Sequence, residues 1–141
     1  MNGFLLDTNV LSELVKPRPE PKVTQWIEAT DENLLYLSVL TLGEIRKGIT
    51  AVTQASRRMM LESWLHKELR PRFAEHILPI EEAVADRWGL LAGQAQANKI
   101  VLPVIDGLLA ATALHYNLIL VTRNIRDVAA TGVPVFSPWE G

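Results

Sequence analysis

An apolar run near the N-terminus stops abruptly in polar side chains: Phe4-Leu5-Leu6, then Asp7-Thr8-Asn9, then at once Val10-Leu11-Ser12-Glu13-Leu14-Val15. A short apolar run bounded by polar residues predicts a buried strand, and the next segment predicts a helix. In open α/β sheets, ligand sites lie just beyond the carboxyl ends of the strands. Asp7 stands at such an end. It is either the cap of the helix that follows or the first group of an active site.

The rest of the chain keeps alternating. Lys16-Pro17-Arg18-Pro19-Glu20-Pro21 forbids a helix interior and predicts an extended loop. Val23, Trp26 and Ile27 predict a short helix over 23–30, Asp31-Glu32-Asn33 a polar turn, and 34–37 a second buried strand. From Ser38 a helix follows, with Val39, Leu42, Ile45 and Ile49 at steps of three and four. Ser38 or Thr41 caps it, and Gly48 either interrupts it or marks a close approach. An amphipathic helix over 54–69 turns Met59 or Met60, Trp64 and Leu65 inward and ends at Arg70-Pro71-Arg72. A short strand over 76–80 precedes the longest helix, 81–99, whose apolar side carries Trp88, Leu90, Leu91 and Ala95. A buried helix over 104–116 ends at Asn117. The clearest central strand, 118–121, runs into Thr122-Arg123-Asn124. A short helix to Ala129, a turn at Thr131-Gly132 and a last strand over 133–136 complete the chain. Strands separated by helices imply a mostly parallel central sheet between helical layers: an α/β fold in three layers, α/β/α.

At 141 residues, the chain has room for one ordinary domain, spanning 1–141. A hydrophobic share of 48% with 21% charged residues predicts a substantial core. With 0 cysteines, disulfides and thiolate metal sites are excluded, which agrees with a reducing compartment. No apolar stretch approaches the roughly 18 residues of a membrane helix, and the N-terminus has no signal-like pattern, so a cytoplasmic protein is expected. A formal net charge of -2 does not advertise a nucleic-acid binder, although a basic face can coexist with carboxylates gathered in one pocket.

Several acids sit in apolar surroundings. Asp7 ends a buried strand, Glu44 lies within Thr41-Leu42-Gly43-Glu44-Ile45, and Asp106 within Pro103-Val104-Ile105-Asp106-Gly107-Leu108-Leu109. Asn124 and Asp127 follow the central strand. Each has an ordinary explanation alone: a cap for Asp7, Lys47 or solvent for Glu44, a helix first turn for Asp106, Arg123 for Asp127. Their coincidence is what matters. Embedded carboxylates cost several kcal/mol unless paired or metal-bound. Clustered ones repel unless a cation sits among them. An all-oxygen donor set favours magnesium or manganese, a chemistry suited to phosphodiester hydrolysis. Arg46, Lys47, Arg57, Arg58, Lys67, Arg70 and Arg72 either contact an RNA backbone or form a solvated helix face.

Four ordered segments carry a family resemblance: Leu5-Leu6-Asp7-Thr8-Asn9; Ser38-Val39-Leu40-Thr41-Leu42-Gly43-Glu44-Ile45 with Gly48; Asp106-Gly107-Leu108-Leu109-Ala110-Ala111-Thr112-Ala113; and Val121-Thr122-Arg123-Asn124 with Asp127. Together they resemble the PIN-domain ribonucleases, in particular the VapC and FitB branch of type II toxin–antitoxin systems, and the ending Val133 to Trp139 is similar too. The resemblance implies a three-layer PIN-like fold and a magnesium-dependent endoribonuclease in which manganese substitutes. It assigns Asp7, Glu44 and Asp106 as catalytic and metal-binding acids, with Thr8, Asn9 and Thr122 supporting them. Asn124 and Asp127 share the segment of the fourth position, and Val128 stands where an aromatic is usual. A cognate antitoxin, a homodimer, an RNA substrate, and operator DNA reached only through the antitoxin complex are implied as well, with no membrane association. The competing readings are a housekeeping PIN-type RNA-processing nuclease and a catalytically silent partner in a DNA-binding complex. An Asp-nucleophile phosphatase is a third, though Asn9 stands where that chemistry wants a second acid.

Overall fold

A computed structural model describes residues 3–140. Its sheet has five strands in the order β3-β2-β1-β4-β5: β1 (Phe4–Leu6), β2 (Leu35–Ser38), β3 (Ile77–Leu78), β4 (Ile119–Val121) and β5 (Val135–Phe136). Every neighbouring pair is parallel, which makes the expected mostly parallel sheet wholly so. The chain leaves central β1 towards β2 and β3, then crosses back to lay β4 on the other side of β1. That reversal is a topological switch point, where parallel sheets open a crevice at the carboxyl ends of their strands.

The three-layer expectation follows from side-chain alternation in the strands. Leu6 and Val121 face one layer, with Leu35 and Leu37 beside them. Leu5 and Leu120 face the other. The first layer contains α1 (Thr8–Leu14), α2 (Pro21–Ala29), α3 (Val39–Thr50) and α4 (Ala55–Trp64), the last continuing through a π turn, Leu65–Leu69, into α5 (Arg70–Arg72). Its core includes Val10, Leu11, Val23, Ile45, Leu65 and Phe73. The second layer is built on α7 (Val104–Tyr116), whose Leu109, Ala110 and Ala113 lie on the sheet. Helix α6 (Glu82–Ala97) packs against α7, and α8 (Ile125–Val128) follows β4. No helix among the described residues is long and apolar enough to cross a membrane.

Several details differ from the sequence expectations, each for a local reason. Helix α2 starts at Pro21 rather than residue 23, because a proline's fixed φ and missing N–H suit the first turn. Met59 and Met60 are 70% and 49% exposed, since Leu61, Leu65 and Leu69, at steps of four, take the inward positions. Leu90 is 61% exposed: the inward row of α6 runs Val84, Trp88, Leu91, Ala95, and Leu90 falls off it. Gly48 neither breaks α3 nor marks a close approach, for beyond the local backbone of its own helix nothing lies within 4 Å of a methyl group added there. Gly107 does mark one. A methyl group there would lie 3.0 Å from Trp88 Cδ1 and 3.2 Å from Leu102 Cδ2, so glycine sets how closely α6 approaches α7.

The two glycines should therefore respond with opposite sign. Gly48→Ala should raise the thermal midpoint, since alanine is better than glycine in a helix by up to about 1 kcal/mol. Gly107→Ala should lower it despite the same propensity gain, because Trp88 and Leu102 must move. Differential scanning calorimetry of both variants checks this.

Candidate active site

Two neighbouring strands deliver their polar ends together. The register pairs Leu6 with Val121, and the Asp7 N–H donates to the Val121 carbonyl at 2.9 Å, which sets Asp7 and Thr122 side by side at the switch point. Asp7 is only 6% exposed. Its Oδ1 accepts from the Thr8 backbone N–H at 2.7 Å, and its Oδ2 accepts from Thr122 Oγ1 at 2.7 Å and from Asn9 Nδ2 at 3.4 Å. Asp7 is therefore itself the cap of α1, the first of the two roles its position offers. Cap and site acid are one carboxylate: one oxygen closes the helix, and the other is held by Thr122.

The supporting residues tie the elements together. Thr8 Oγ1 donates to Glu44 Oε1 at 2.6 Å, joining the first turn of α1 to α3. Ser38, of the two candidate caps, closes α3 by accepting from the Leu40 N–H at 3.0 Å, so the helix starts at the end of β2 and carries Glu44 towards Asp7. Glu44 forms no ion pair with Lys47 among the described residues, and with one oxygen on Thr8 it is only partly open to solvent. Asn9 bridges the strand ends, with Nδ2 3.4 Å from Thr122 Oγ1 and Oδ1 accepting from the Arg123 N–H at 3.4 Å. Thr122 Oγ1 also accepts from the Asn124 backbone N–H at 3.0 Å.

Asp106 enters from the opposite layer, in the first turn of α7 just after Pro103. Burial pushes its carboxyl up to about 6, and the charges of Asp7, Asp127 and Glu44 add to the rise. Burial likewise raises Asp7; the hydrogen bonds from Thr122 and Thr8 oppose that rise and the charge of Glu44 adds to it. Four acids from four parts of the chain thus share one electrostatic neighbourhood. Asp127 belongs to it at an exposed position, and its ordinary partner Arg123 forms no ion pair with it among the described residues. Asn124 is exposed and precedes α8, and its side chain makes no capping bond.

Whether such a set fits a divalent cation is a question of its donor chemistry. All candidate donors are oxygens, which suits magnesium or manganese. The ion pairs among the described residues are Lys16–Glu13, Arg46–Glu62 and Arg72–Glu32, so no basic side chain neutralises Asp7, Glu44 or Asp106. No three His, Cys, Asp or Glu side chains among the described residues form a ready-made ion cage. The fit to a divalent cation is therefore one of donor chemistry and uncompensated charge.

Sequence reasoning misses two features beside this site. Glu13, in α1, is 4% exposed; its Oε1 accepts from Lys16 Nζ and its Oε2 from the Glu20 N–H, both at 2.9 Å. Lys16 in particular holds its carboxyl below the usual range. The i, i+3 spacing to Lys16 was the available signal. The guanidinium of Arg123 also lies 5.3 Å from the ring centre of Trp139, a contact across the chain that no local pattern announces.

Comparison with known proteins agrees with this architecture. The PIN domain family matches residues 4–131. The VapC ribonuclease Y4jK of Sinorhizobium fredii is 35% identical over 97% of this chain and 98% of its own length. Toxin FitB of Neisseria gonorrhoeae is 34% identical, over 96% and 98%. The crystal structure of FitAcB from Neisseria gonorrhoeae superposes with a TM-score of 0.94 at 33% identity, covering 98% of this chain and 99% of that one. The fold also recurs in FitAB bound to a DNA fragment and in a toxin–antitoxin complex from Klebsiella pneumoniae. A match across nearly the whole chain, in sequence and in fold, makes the protein a member of the PIN-domain family, beside the VapC and FitB toxins.

Proposed function

We propose that the protein is the toxin of a type II toxin–antitoxin pair, a magnesium-dependent endoribonuclease of the cytoplasm that hydrolyses RNA phosphodiester bonds at the acid cluster. One observation carries the reading: the charges of Asp7, Glu44 and Asp127 converge on Asp106, and among the described residues no basic side chain forms an ion pair with the core acids. The names of the ribonuclease and toxin relatives support the activity, and the toxin–antitoxin assemblies of the structural neighbours support a cognate antitoxin. Contact with operator DNA is assigned to the antitoxin complex, as the DNA-bound FitAB neighbour suggests. The protein is assigned a homodimeric state on the family resemblance.

In this mechanism Asp7, Glu44 and Asp106 would hold the ion. A divalent ion, when bound, neutralises charge at the phosphate and acidifies water. Thr122 and the Thr8 N–H fix the Asp7 carboxylate, the Thr8 hydroxyl fixes Glu44, and Asn9 keeps the two strand ends in register. Asp127, at the solvent edge, adds negative potential; Asn124 contributes its backbone N–H to Thr122. Below about pH 6 Asp106 carries a proton, which a bound ion would displace.

Asp7→Asn separates the two roles of Asp7, because asparagine still caps a helix. RNA cleavage in magnesium should fall at least about a hundredfold, a loss typical of disturbed metal sites, while the thermal midpoint stays close to that of the parent. Cleavage that survives both this substitution and chelation would overturn the proposal.

The raised Asp106 carboxyl also fixes a pH dependence. Its folded value, about 6, lies above the unfolded value of 3.8, so between these pH values the folded state binds more protons and its stability rises as pH falls. The metal-free protein should therefore melt higher near pH 5 than near pH 7.5 as far as this group is concerned. Asp106→Asn should raise the midpoint near pH 7.5 and flatten that dependence. Manganese should stabilise the parent more near pH 7.5 than near pH 5, and should not stabilise Asp106→Asn, as thermal melts with and without the ion will report.

A further inference from the structure

We propose that Arg18, presented by a Glu13-anchored loop, forms with Arg123 and Trp139 the tract that holds a single-stranded RNA backbone beside the acid cluster. The inference rests on the ribonuclease reading and names how that site takes its substrate. Most arginines that the sequence offers for this task are engaged elsewhere. Arg46 pairs with Glu62 at 2.9 Å and Arg72 with Glu32, while Arg57 and Arg58 donate to the carbonyls of Val15 and Val52 at 3.0 and 2.9 Å. Arg18 and Arg123 are exposed and have no carboxylate in ion-pair contact among the described residues.

These two arginines line one cleft of about 410 Å3, together with Lys16, Trp139 and the carboxylates of Glu13 and Glu20. Glu13 does not repel an incoming phosphate on equal terms. It is 4% exposed and already compensated by Lys16 and the Glu20 N–H. Those two bonds anchor both ends of the segment Lys16-Pro17-Arg18-Pro19-Glu20 on one buried carboxylate. Arg18 sits midway between the anchors, with prolines restricting the backbone on both sides. Glu13 is thus a positioning residue.

Arg123 connects the cleft to the acids. It directly follows Thr122, its N–H donates to Asn9 Oδ1, and it also lines a neighbouring cleft with Asn124 and Asp127. Its guanidinium lies over the Trp139 ring. A guanidinium fork matches a phosphate bidentately, and guanidinium planes and aromatic faces are the surfaces on which unpaired bases stack. Cations for phosphates, one of them a guanidinium plane backed by the core-packed Trp139 ring, favour a single-stranded nucleic acid over an acidic protein segment, which would use the charges alone.

The test measures binding of a labelled single-stranded RNA oligonucleotide by fluorescence anisotropy in chelator, across a salt series, with cleavage in magnesium assayed in parallel. With a salt slope of about 0.7 per neutralised phosphate on single strands, Arg18→Gln and Arg123→Gln should each weaken binding roughly fivefold near 0.1 M salt and shallow the slope by about 0.7. Trp139→Ala should cost at least about fivefold and Trp139→Phe should recover most of it. Glu13→Gln should weaken binding, and adding Arg18→Gln to it should then cost less than in the parent. Manganese affinity by calorimetry should be unchanged in Arg18→Gln and Arg123→Gln. Unaltered affinity and slope in both arginine variants of a protein that cleaves RNA would overturn the tract and leave the nuclease standing. A parent that neither binds nor cleaves RNA would overturn both. Equal competition by poly-glutamate, indifferent to Trp139→Ala, would mark an acidic-protein site and overturn the tract.

Discussion

Among the hydrogen bonds that join the end of β4 to the end of β1, the one on which the rest depends runs from Thr122 Oγ1 to Asp7 Oδ2, 2.7 Å. It is a buried contact between residues far apart in sequence, made at the point where the strand order reverses. Parallel pairing of β1 with β4 brings the two side chains level, and the bond converts that backbone register into a fixed carboxylate. Asp7 is buried enough that an unsupported charge would be expensive. The same carboxylate starts α1, so fold and site draw on one group.

The site is assembled from both layers. Asp7 and Glu44 come through α1 and α3 on one side of the sheet, whereas Asp106 comes from α7 on the other. Bonds among Thr8, Asn9, Thr122 and Glu44 make the first group rigid. Asp106 is bound to it by field alone, and the field is repulsive. That asymmetry leaves Asp106 as the acid whose charge is opposed by its neighbours and fixed by none of the hydrogen bonds that hold Asp7 and Glu44.

Much of this was legible in the sequence because it is local. The apolar run into Asp7 and the 118–121 strand into Thr122 declare their burial and their polar ends directly, and the caps at Ser38 and Asn117 lie where turn chemistry puts them. The orientation of helix faces was less legible. Met59, Met60 and Leu90 are as hydrophobic as their inward neighbours, and only the tertiary position of each helix decides which row is covered. The sequence pattern likewise collected the four acids, but offered cap and cluster as alternatives for Asp7, which takes both, and could not say that Asp127 would stay at the solvent edge. Glu13 and the Arg123–Trp139 contact escaped because one looks like an ordinary helix acid and the other depends on folding.

The close approach at Gly107 has a mechanical meaning. Helix α7 is anchored at its far end, where Asn117 takes a left-handed turn and Leu118 bonds back to Ala113 before entering β4. Asp106 rides on the opposite end, a lever arm of about 15 Å at 1.5 Å per residue. A tilt of some four degrees about the anchored end would carry its carboxylate roughly 1 Å, a displacement on the scale that costs catalysis about a hundredfold. The indole of Trp88 against Gly107 acts as the stop on that lever, so the aim of one site acid is set by an aromatic ring on a helix that supplies no acid to the cluster.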